Sequence, residues 1–183
     1  MRTVPLPGPA AAFLVGGGRD VDSAKVPDAG AAGEHVRLVD DRGAELGLAV
    51  ADPDNARLRV LATPADGFAK IDGALIGWRV ERALAWRKRL GLPGDDATYR
   101  LLHGAGDGVP GFTCDVLGRF AVLYAYAPAL VPWAGQLAEA VRGFTGVRGV
   151  VVKVRARAGA QAPAQSVVGE TPPDRYVAAE HGV

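Results

Sequence analysis

The sequence has little of what disulfide frameworks and metal sites require. Its 183 residues include a single cysteine, Cys114, and three histidines. One cysteine excludes a disulfide framework and any metal site built from several cysteines. His35, His103 and His181 make no compact metal spacing with Asp, Glu or Cys. We therefore expect structural or solvated histidines, and no metal cofactor.

The sequence also lacks an excess of positive or negative charge, and it lacks long apolar runs. The 21 Lys and Arg against 20 Asp and Glu leave a net charge of +1, which favours no class of partner. The apolar stretches fall short of the ~20 residues that a membrane helix needs. Residues 1–12 lack the compact apolar run of a signal peptide. These features predict a soluble, cytosolic α/β protein with no membrane partner.

The first third of the chain shows the periodicity of strands. Apolar and polar residues alternate from Glu45 to Val50, and again over residues 57–60, which is typical of half-buried strands. The turn at residues 41–43 predicts a hairpin, and residues 13–15 suggest a short strand. Residues 1–62 are therefore interpreted as a small all-β module.

The rest of the chain mixes helices and strands. Apolar residues at helical spacing from Ile76 predict an amphipathic helix that ends near Leu90. From Tyr99 the predicted order is strand, strand, strand, helix, strand, strand, with a loop over residues 156–165 and last strands over residues 166–170 and 176–180. This order indicates an α+β unit.

Two features suggest enzymes and have simpler explanations. Cys114 could act as a nucleophile if His103 lay beside it on a neighbouring strand, but buried cysteines are usually inert. The glycine-rich segment 104–108 could be taken for a phosphate loop. It runs into a strand rather than a helix, so tight turns explain it, and the sequence predicts no nucleotide or S-adenosylmethionine site in this chain.

Basic residues follow one face of the predicted helix. Arginines with an aromatic residue between them suit phosphate contacts and base stacking. The alternative is a solvated helix face on which the aromatic residue closes a domain interface. A second basic stretch covers residues 148–157. The candidate RNA-binding residues are Arg79, Arg82, Trp86, Arg87, Lys88 and Arg89.

Several segments resemble a known enzyme family. Residues 83–90, 99–112 and 114–118 resemble the middle of the bacterial large-subunit ribosomal RNA cytosine-5 methyltransferases, which depend on S-adenosylmethionine. The most distinctive part is the run from Tyr99 to Gly111, with its Asp-Gly-x-Pro-Gly ending. Residues 169–173 and 180–183 resemble the stretch that leads into the catalytic domain of that family.

The resemblance implies a domain plan. We expect an α+β chain with a PUA-like β-barrel over residues 1–65, a connecting helix over 66–94, and a central domain of strand-strand-helix-strand-strand type over 95–183. The Rossmann-like methyltransferase domain, with its catalytic groups, is expected to be absent from this chain. The chain is thus expected to contain no catalytic residue and no cofactor, whereas the parent enzyme would use S-adenosylmethionine.

The resemblance also implies a role. The chain would bind ribosomal RNA and position it for methyl transfer to cytosine C5, and the family admits a homodimer. Two alternatives remain open. One is a purely structural module whose arginine face packs against a catalytic domain or a second subunit. The other is an independent thiol enzyme that uses Cys114 and His103.

Overall fold

Two five-stranded sheets organise the described part of the protein. The computed structural model describes residues 1–92, 97–155, 165–175 and 177–178. The first sheet contains β1 (Arg2–Pro5), β2 (Asp20–Asp22), β3 (His35–Val39), β4 (Glu45–Asp52) and β5 (Arg57–Ala62). The second contains β6 (Thr98–His103), β7 (Phe112–Leu117), β8 (Phe120–Ala125), β9 (Gly149–Val154) and β10 (Gln165–Gly169). The helices are α1 (Gly8–Val15), α2 (Gly73–Arg89) and α3 (Val131–Thr145).

Helix α1 stands where the sequence analysis predicts a strand. Pro9 lies in its first turn, where proline costs no hydrogen bond, and alanines follow. The helix ends at Gly16, whose amide donates to the Ala12 carbonyl at 2.9 Å. Leu14 alone in this helix is buried, whereas Phe13 and Val15 are exposed. The predictions of a strand over residues 13–15 and of an all-β module over residues 1–62 are therefore wrong.

The first sheet is mixed, with the order β1-β3-β4-β5-β2. Strand β1 runs parallel to β3, and the other neighbours are antiparallel. The predicted hairpin is present between β3 and β4, where the Asp40 carboxylate accepts hydrogen bonds from the amides of Arg42 and Ala44 at 2.9 and 2.8 Å. Among the described strands, β1 and β2 form the two edges and do not pair with each other. The predicted barrel is therefore not confirmed.

The second sheet is also mixed, with the order β10-β9-β8-β7-β6. Helix α3 carries the chain from β8 to β9 and returns it in the same direction, so these two strands are parallel. In the described ranges three strands precede the helix and two follow it, which confirms the order predicted from periodicity. The strand-strand-helix-strand-strand order implied by the resemblance is wrong by one strand. The strand predicted over residues 166–170 is found as β10. Most of the loop predicted over 156–165, and of the strand predicted over 176–180, lies outside the described residues.

One hydrophobic core joins the two sheets. Helices α2 and α3 pack on one face of the second sheet, and the same core continues to β4 and β5 through Leu48 and Leu61. Helix α2 begins where the Asp72 carboxylate accepts hydrogen bonds from the amides of Ala74 and Leu75 at 3.0 and 3.2 Å.

The three-part domain division stays a prediction. In the described ranges, no helix has the length and apolar character needed to cross a membrane.

Candidate nucleic-acid interface

A cleft of about 280 Å³ runs along α2 at the junction of the two sheets. One wall is the helix, and the opposite wall is the glycine-rich turn between β6 and β7. The turn that follows β5 closes one end. The lining contains three arginines, two aspartates and an exposed tryptophan. The residues are Gly17, Arg19, Asp66, Arg79, Arg82, Ala83, Trp86, Ala105, Gly106, Asp107 and Gly108.

The floor of the cleft is a buried ion pair between Arg79 and Asp66. Arg79 is 4% exposed, and its Nη2 lies 2.6 Å from Asp66 Oδ2 and 2.7 Å from the Leu61 carbonyl. The Asp66 carboxylate also accepts from the Thr63 amide at 2.8 Å in a capping box. Arg19 lies at its other side, at 3.5 Å. The Nε and Nη2 donors of Arg79 therefore both bind protein acceptors.

The buried environment shifts the pKa values of both Arg79 and Asp66. Desolvation lowers the pKa of Arg79, and the charge of Asp66 opposes that change. Desolvation by itself would raise the pKa of Asp66, but the Thr63 amide and the charge of Arg79 outweigh it, so the Asp66 pKa lies below its ordinary value. Both groups are charged at neutral pH, and the floor presents a fixed arrangement of charges.

Arg87 fixes the opposite wall. Its guanidinium forms a bidentate pair with the Asp107 carboxylate, at 2.7 and 2.8 Å, and its Nε donates to the Arg100 carbonyl at 2.9 Å. A Cβ at Gly108, which has a φ of 72°, would lie 2.7 Å from the Arg79 guanidinium. Only glycine allows this turn to approach the helix so closely.

The rim of the cleft presents unpaired cations and an aromatic ring. Trp86 is 52% exposed, and the Arg89 guanidinium lies 5.1 Å from its ring centroid. The Arg82 guanidinium lies 4.7 Å from the centroid of the Trp78 ring, which is also a cation–π contact. Within the described ranges, Arg82, Lys88 and Arg89 form no ion pair with a carboxylate, and all three are exposed. We call Arg82, Trp86 and Arg89 the α2 rim; Lys88 lies about 160° around the helix from Trp86 and is exposed on the side away from the cleft.

The structure thus divides the six residues singled out in the sequence. Arg82, Trp86 and Arg89 form the α2 rim, and Lys88 is exposed on the other side of α2. Arg79 and Arg87 are bound to carboxylates from other parts of the chain. The spacing along α2 did not reveal these partners, because Asp66 and Asp107 lie far away in sequence. Asp66 could have been noticed as the last residue of a Thr63-x-x-Asp66 capping box. No signal in the sequence indicates that Arg19 lies beside Asp66 in the cleft.

Cys114 and His103 do not form a catalytic pair. In the register of β6 and β7, His103 lies opposite Thr113, and Cys114 lies opposite Leu102. Because neighbouring residues of a strand point to opposite faces, the thiol points into the core while the imidazole is exposed. Burial raises the pKa of the Cys114 thiol. The thiol-enzyme alternative is therefore wrong.

The burial of Cys114 makes a chemical prediction. Its side chain is fully buried, so a maleimide or iodoacetamide reagent should leave it unmodified in the folded protein and label it after unfolding in guanidinium. Mass spectrometry of the intact chain, before and after unfolding, measures this. Rapid, stoichiometric labelling of the native chain would contradict the packing of β7.

The glycine-rich turn does not have the form of a phosphate loop. Two of its amides are used locally, since the Gly108 amide donates to the Ala105 carbonyl and the Val109 amide to the Gly104 carbonyl, both at 3.0 Å. The turn leads into β7 rather than into the N-terminus of a helix, where a phosphate would bind. In the described ranges, no three His, Cys, Asp or Glu side chains meet as a metal site.

The comparisons with known sequences identify relatives. No family model matches the chain. It is 30% identical over 164 residues to the Ribosomal RNA large subunit methyltransferase I of Cronobacter sakazakii, covering 87% of this chain and 41% of that protein. It is 29% identical over 155 residues to the proteins of the same name from Klebsiella pneumoniae and Escherichia coli, covering 82% of this chain and 38% and 39% of theirs. The chain spans about two fifths of the length of these relatives, and the resemblance to large-subunit ribosomal RNA methyltransferases is confirmed.

Solved structures show the same fold. The whole chain superposes on 47% of a chain from Streptococcus mutans described as an S-adenosylmethionine-dependent methyltransferase, with a TM-score of 0.82 and 19% identity. A methyltransferase solved in complex with S-adenosylhomocysteine gives the same TM-score and coverage at 21% identity. This corrects the fold-class prediction, which separated the chain from the methyltransferase fold: the entire chain, with both mixed sheets, follows the fold of these methyltransferase chains. The chain is thus similar in sequence to part of the ribosomal RNA methyltransferases named above, and in fold to about half of two chains described as methyltransferases.

Proposed function

We propose that this chain binds ribosomal RNA along the α2 rim and positions it for S-adenosylmethionine-dependent methylation. The observation that carries the proposal is the unpaired state of the rim: Arg82 and Trp86 line the cleft, and Arg89 lies over the Trp86 ring. Lys and Arg side chains without carboxylate partners are free to contact phosphates. Here the carboxylates of the cleft are taken by Arg79 and Arg87, so the rim cations are available for phosphates.

The geometry supports a division of labour within α2. Phosphate contacts from Arg82 and Arg89 would fix the register of the RNA without reading its sequence. The exposed ring of Trp86 would stack on an unpaired base, which is a usual means of RNA recognition. Arg79 and Arg87 lock the two walls of the cleft, so the rim is presented on a rigid support.

The proposed chemistry follows the relatives. Methyl transfer from S-adenosylmethionine to cytosine C5 of large-subunit ribosomal RNA is the proposed activity of the whole enzyme. A base inside a helix must leave its stack to react, and a rigid RNA-binding surface beside the reaction site would hold the flanking nucleotides during that step. A homodimer has no support in the structure or in the comparisons and stays a prediction of the resemblance.

Replacing Trp86 tests the stacking role. Trp86→Ala should weaken binding of a large-subunit ribosomal RNA fragment roughly 5- to 100-fold, since one aromatic–base stack is worth about 1–3 kcal/mol. Trp86→Phe should restore most of the affinity because it keeps a ring. Fluorescence anisotropy with a labelled fragment measures both.

The control is an aromatic residue of similar exposure on another helix. Phe144 is 43% exposed on α3, and Phe144→Ala should leave RNA affinity unchanged. Equal affinity of the Trp86→Ala variant and the original chain would mean that α2 is a structural face. That result would favour the structural-module alternative, in which Trp86 packs against a further domain or subunit.

A further inference from the structure

The outer face of the second sheet carries a continuous row of polar and aromatic side chains. Residues that lie directly opposite each other on neighbouring strands share a face. The strand register links one residue from each of the five strands into such a row, which we call the sheet row. It consists of His103, Thr113, Tyr124, Lys153 and Gln165.

The sheet row is accessible on the face opposite the helices. Helices α2 and α3 pack on the face that holds Cys114, Leu123 and Val152, so the alternating residues of the row point away from them. His103 and Gln165 are exposed, and the other members are half-buried. An open depression of about 600 Å³ borders the row and includes His103 and Tyr124. In the described ranges, no helix or strand packs over this face.

The chemistry of the row suits nucleic acid. It contains an imidazole, a hydroxyl, a phenol ring, an ammonium and an amide, and no carboxylate. The Arg155 guanidinium lies 4.5 Å from the Tyr124 ring centroid, and Tyr126 lies 6.3 Å from the same ring. Within the part of the chain that the structure describes, neither Lys153 nor Arg155 pairs with a carboxylate.

A neighbouring row completes the platform. This row lies two residues further along β7 to β10 and three along β6, where the register shifts. In it Arg100 faces Asp115, at 2.7 Å, and three valines follow across the sheet. The single carboxylate of these two rows is therefore neutralised by its own arginine, and the net charge of the two rows with Arg155 is positive. Five strands at their usual spacing span about 19 Å from edge to edge of the sheet. This width is enough to hold a short segment of single-stranded RNA.

We propose that the outer face of the second sheet binds an unpaired segment of RNA, with bases stacked on Tyr124 and Tyr126 and phosphates on Lys153 and Arg155. This deepens the proposed function, on which it rests for the choice of RNA, and names single-stranded RNA as the substrate class of a second surface. Stacking with flanking cations tolerates any base sequence, so the surface would guide the strand rather than select it.

The test uses a short fluorescent oligouridine, which forms no duplex. The double variant Tyr124→Ala/Tyr126→Ala should lower its affinity roughly 10-fold, while Tyr124→Phe/Tyr126→Phe, which keeps both rings, should bind as the original chain does. Ultraviolet crosslinking with thiouridine in the same oligonucleotide should label the peptide that contains Tyr124.

Two further variants separate this proposal from the previous one. Lys153→Glu is a second substitution on the sheet row and should also weaken oligouridine binding, in case the double alanine variant fails to fold. Arg82→Glu/Arg89→Glu alters only the α2 rim and should leave the tyrosine crosslink in place. Unchanged oligouridine affinity in the alanine and Lys153→Glu variants would overturn the sheet proposal, whatever the α2 rim does.

Discussion

Replacing Arg79 by alanine is expected to lower the free energy of unfolding by about 3–5 kcal/mol, because it leaves the Asp66 carboxylate and the Leu61 carbonyl buried without their partner. Both ionic side chains are less than a tenth exposed, at 5% and 8%, so water cannot replace the lost bonds. Urea denaturation monitored by circular dichroism measures the change.

The matched control is Arg82→Ala, one turn further along the same helix. Arg82 is exposed, and its guanidinium lies 4.7 Å from the Trp78 ring centroid, so its loss should cost less than about 1 kcal/mol. A destabilisation of similar size in both variants would contradict the view that Arg79 is the structural member of the helix face and Arg82 the functional one.

The same pair predicts how stability depends on pH. The Asp66 pKa is lowered in the folded state, so its contribution is present above the pKa of the unfolded chain and is lost as pH falls through the folded pKa. In Arg79→Ala the Asp66 pKa should rise, since burial remains and the nearer of its two arginines is gone while Arg19 stays at 3.5 Å. Acid unfolding of the variant should therefore begin at a higher pH than that of the original chain.

Reversing two charges of the α2 rim is expected to lower RNA affinity roughly 100-fold at low salt. Arg82→Glu/Arg89→Glu removes two charge-assisted phosphate contacts, each worth about 1.5 kcal/mol or more, and adds repulsion from the phosphates. Thermal melting should show little change, because neither side chain has an ion-pair partner in the described ranges. A filter-binding titration with a large-subunit ribosomal RNA fragment measures the loss.

A second pair of substitutions controls for net charge. Lys25 and Arg42 are exposed residues of the first part of the chain, and Lys25→Glu/Arg42→Glu changes the total charge by the same amount. This variant should bind RNA within about 2-fold of the original chain at moderate salt, where distant charges are screened. Equal losses in both double variants would show that affinity depends on overall charge and not on the α2 rim.

Periodicity revealed much of the fold, and it failed where a pattern was short. The hairpin of β3 and β4 and the long helix α2 repeat their period several times, so their side-chain pattern is unambiguous. Residues 13–15 offer only three apolar positions, which fit a strand or one helical turn equally well. Pro9 and the alanines after it carry the deciding signal, because proline fits the first turn of a helix and alanine favours the helix interior.

The candidate site could also be predicted only in part from the sequence. Helical spacing correctly placed Arg79, Arg82, Trp86 and Arg89 along one side of α2, but the sequence contains no sign of which of them is buried. That depends on where the turns after β5 and β6 pass, which is a matter of tertiary packing. The sheet row lies beyond sequence analysis for the same reason, since its five members come from five strands whose register only the fold defines.

The most direct measurement is the salt dependence of RNA binding by the chain and by its Arg82→Glu/Arg89→Glu variant. If the α2 rim contacts phosphates, affinity should fall steeply with salt, and the slope of log affinity against log salt should be shallower in the variant by about 1.5, the share of two phosphate contacts. Parallel slopes, or no RNA binding by the chain at low salt, would contradict the account and leave α2 as a structural helix.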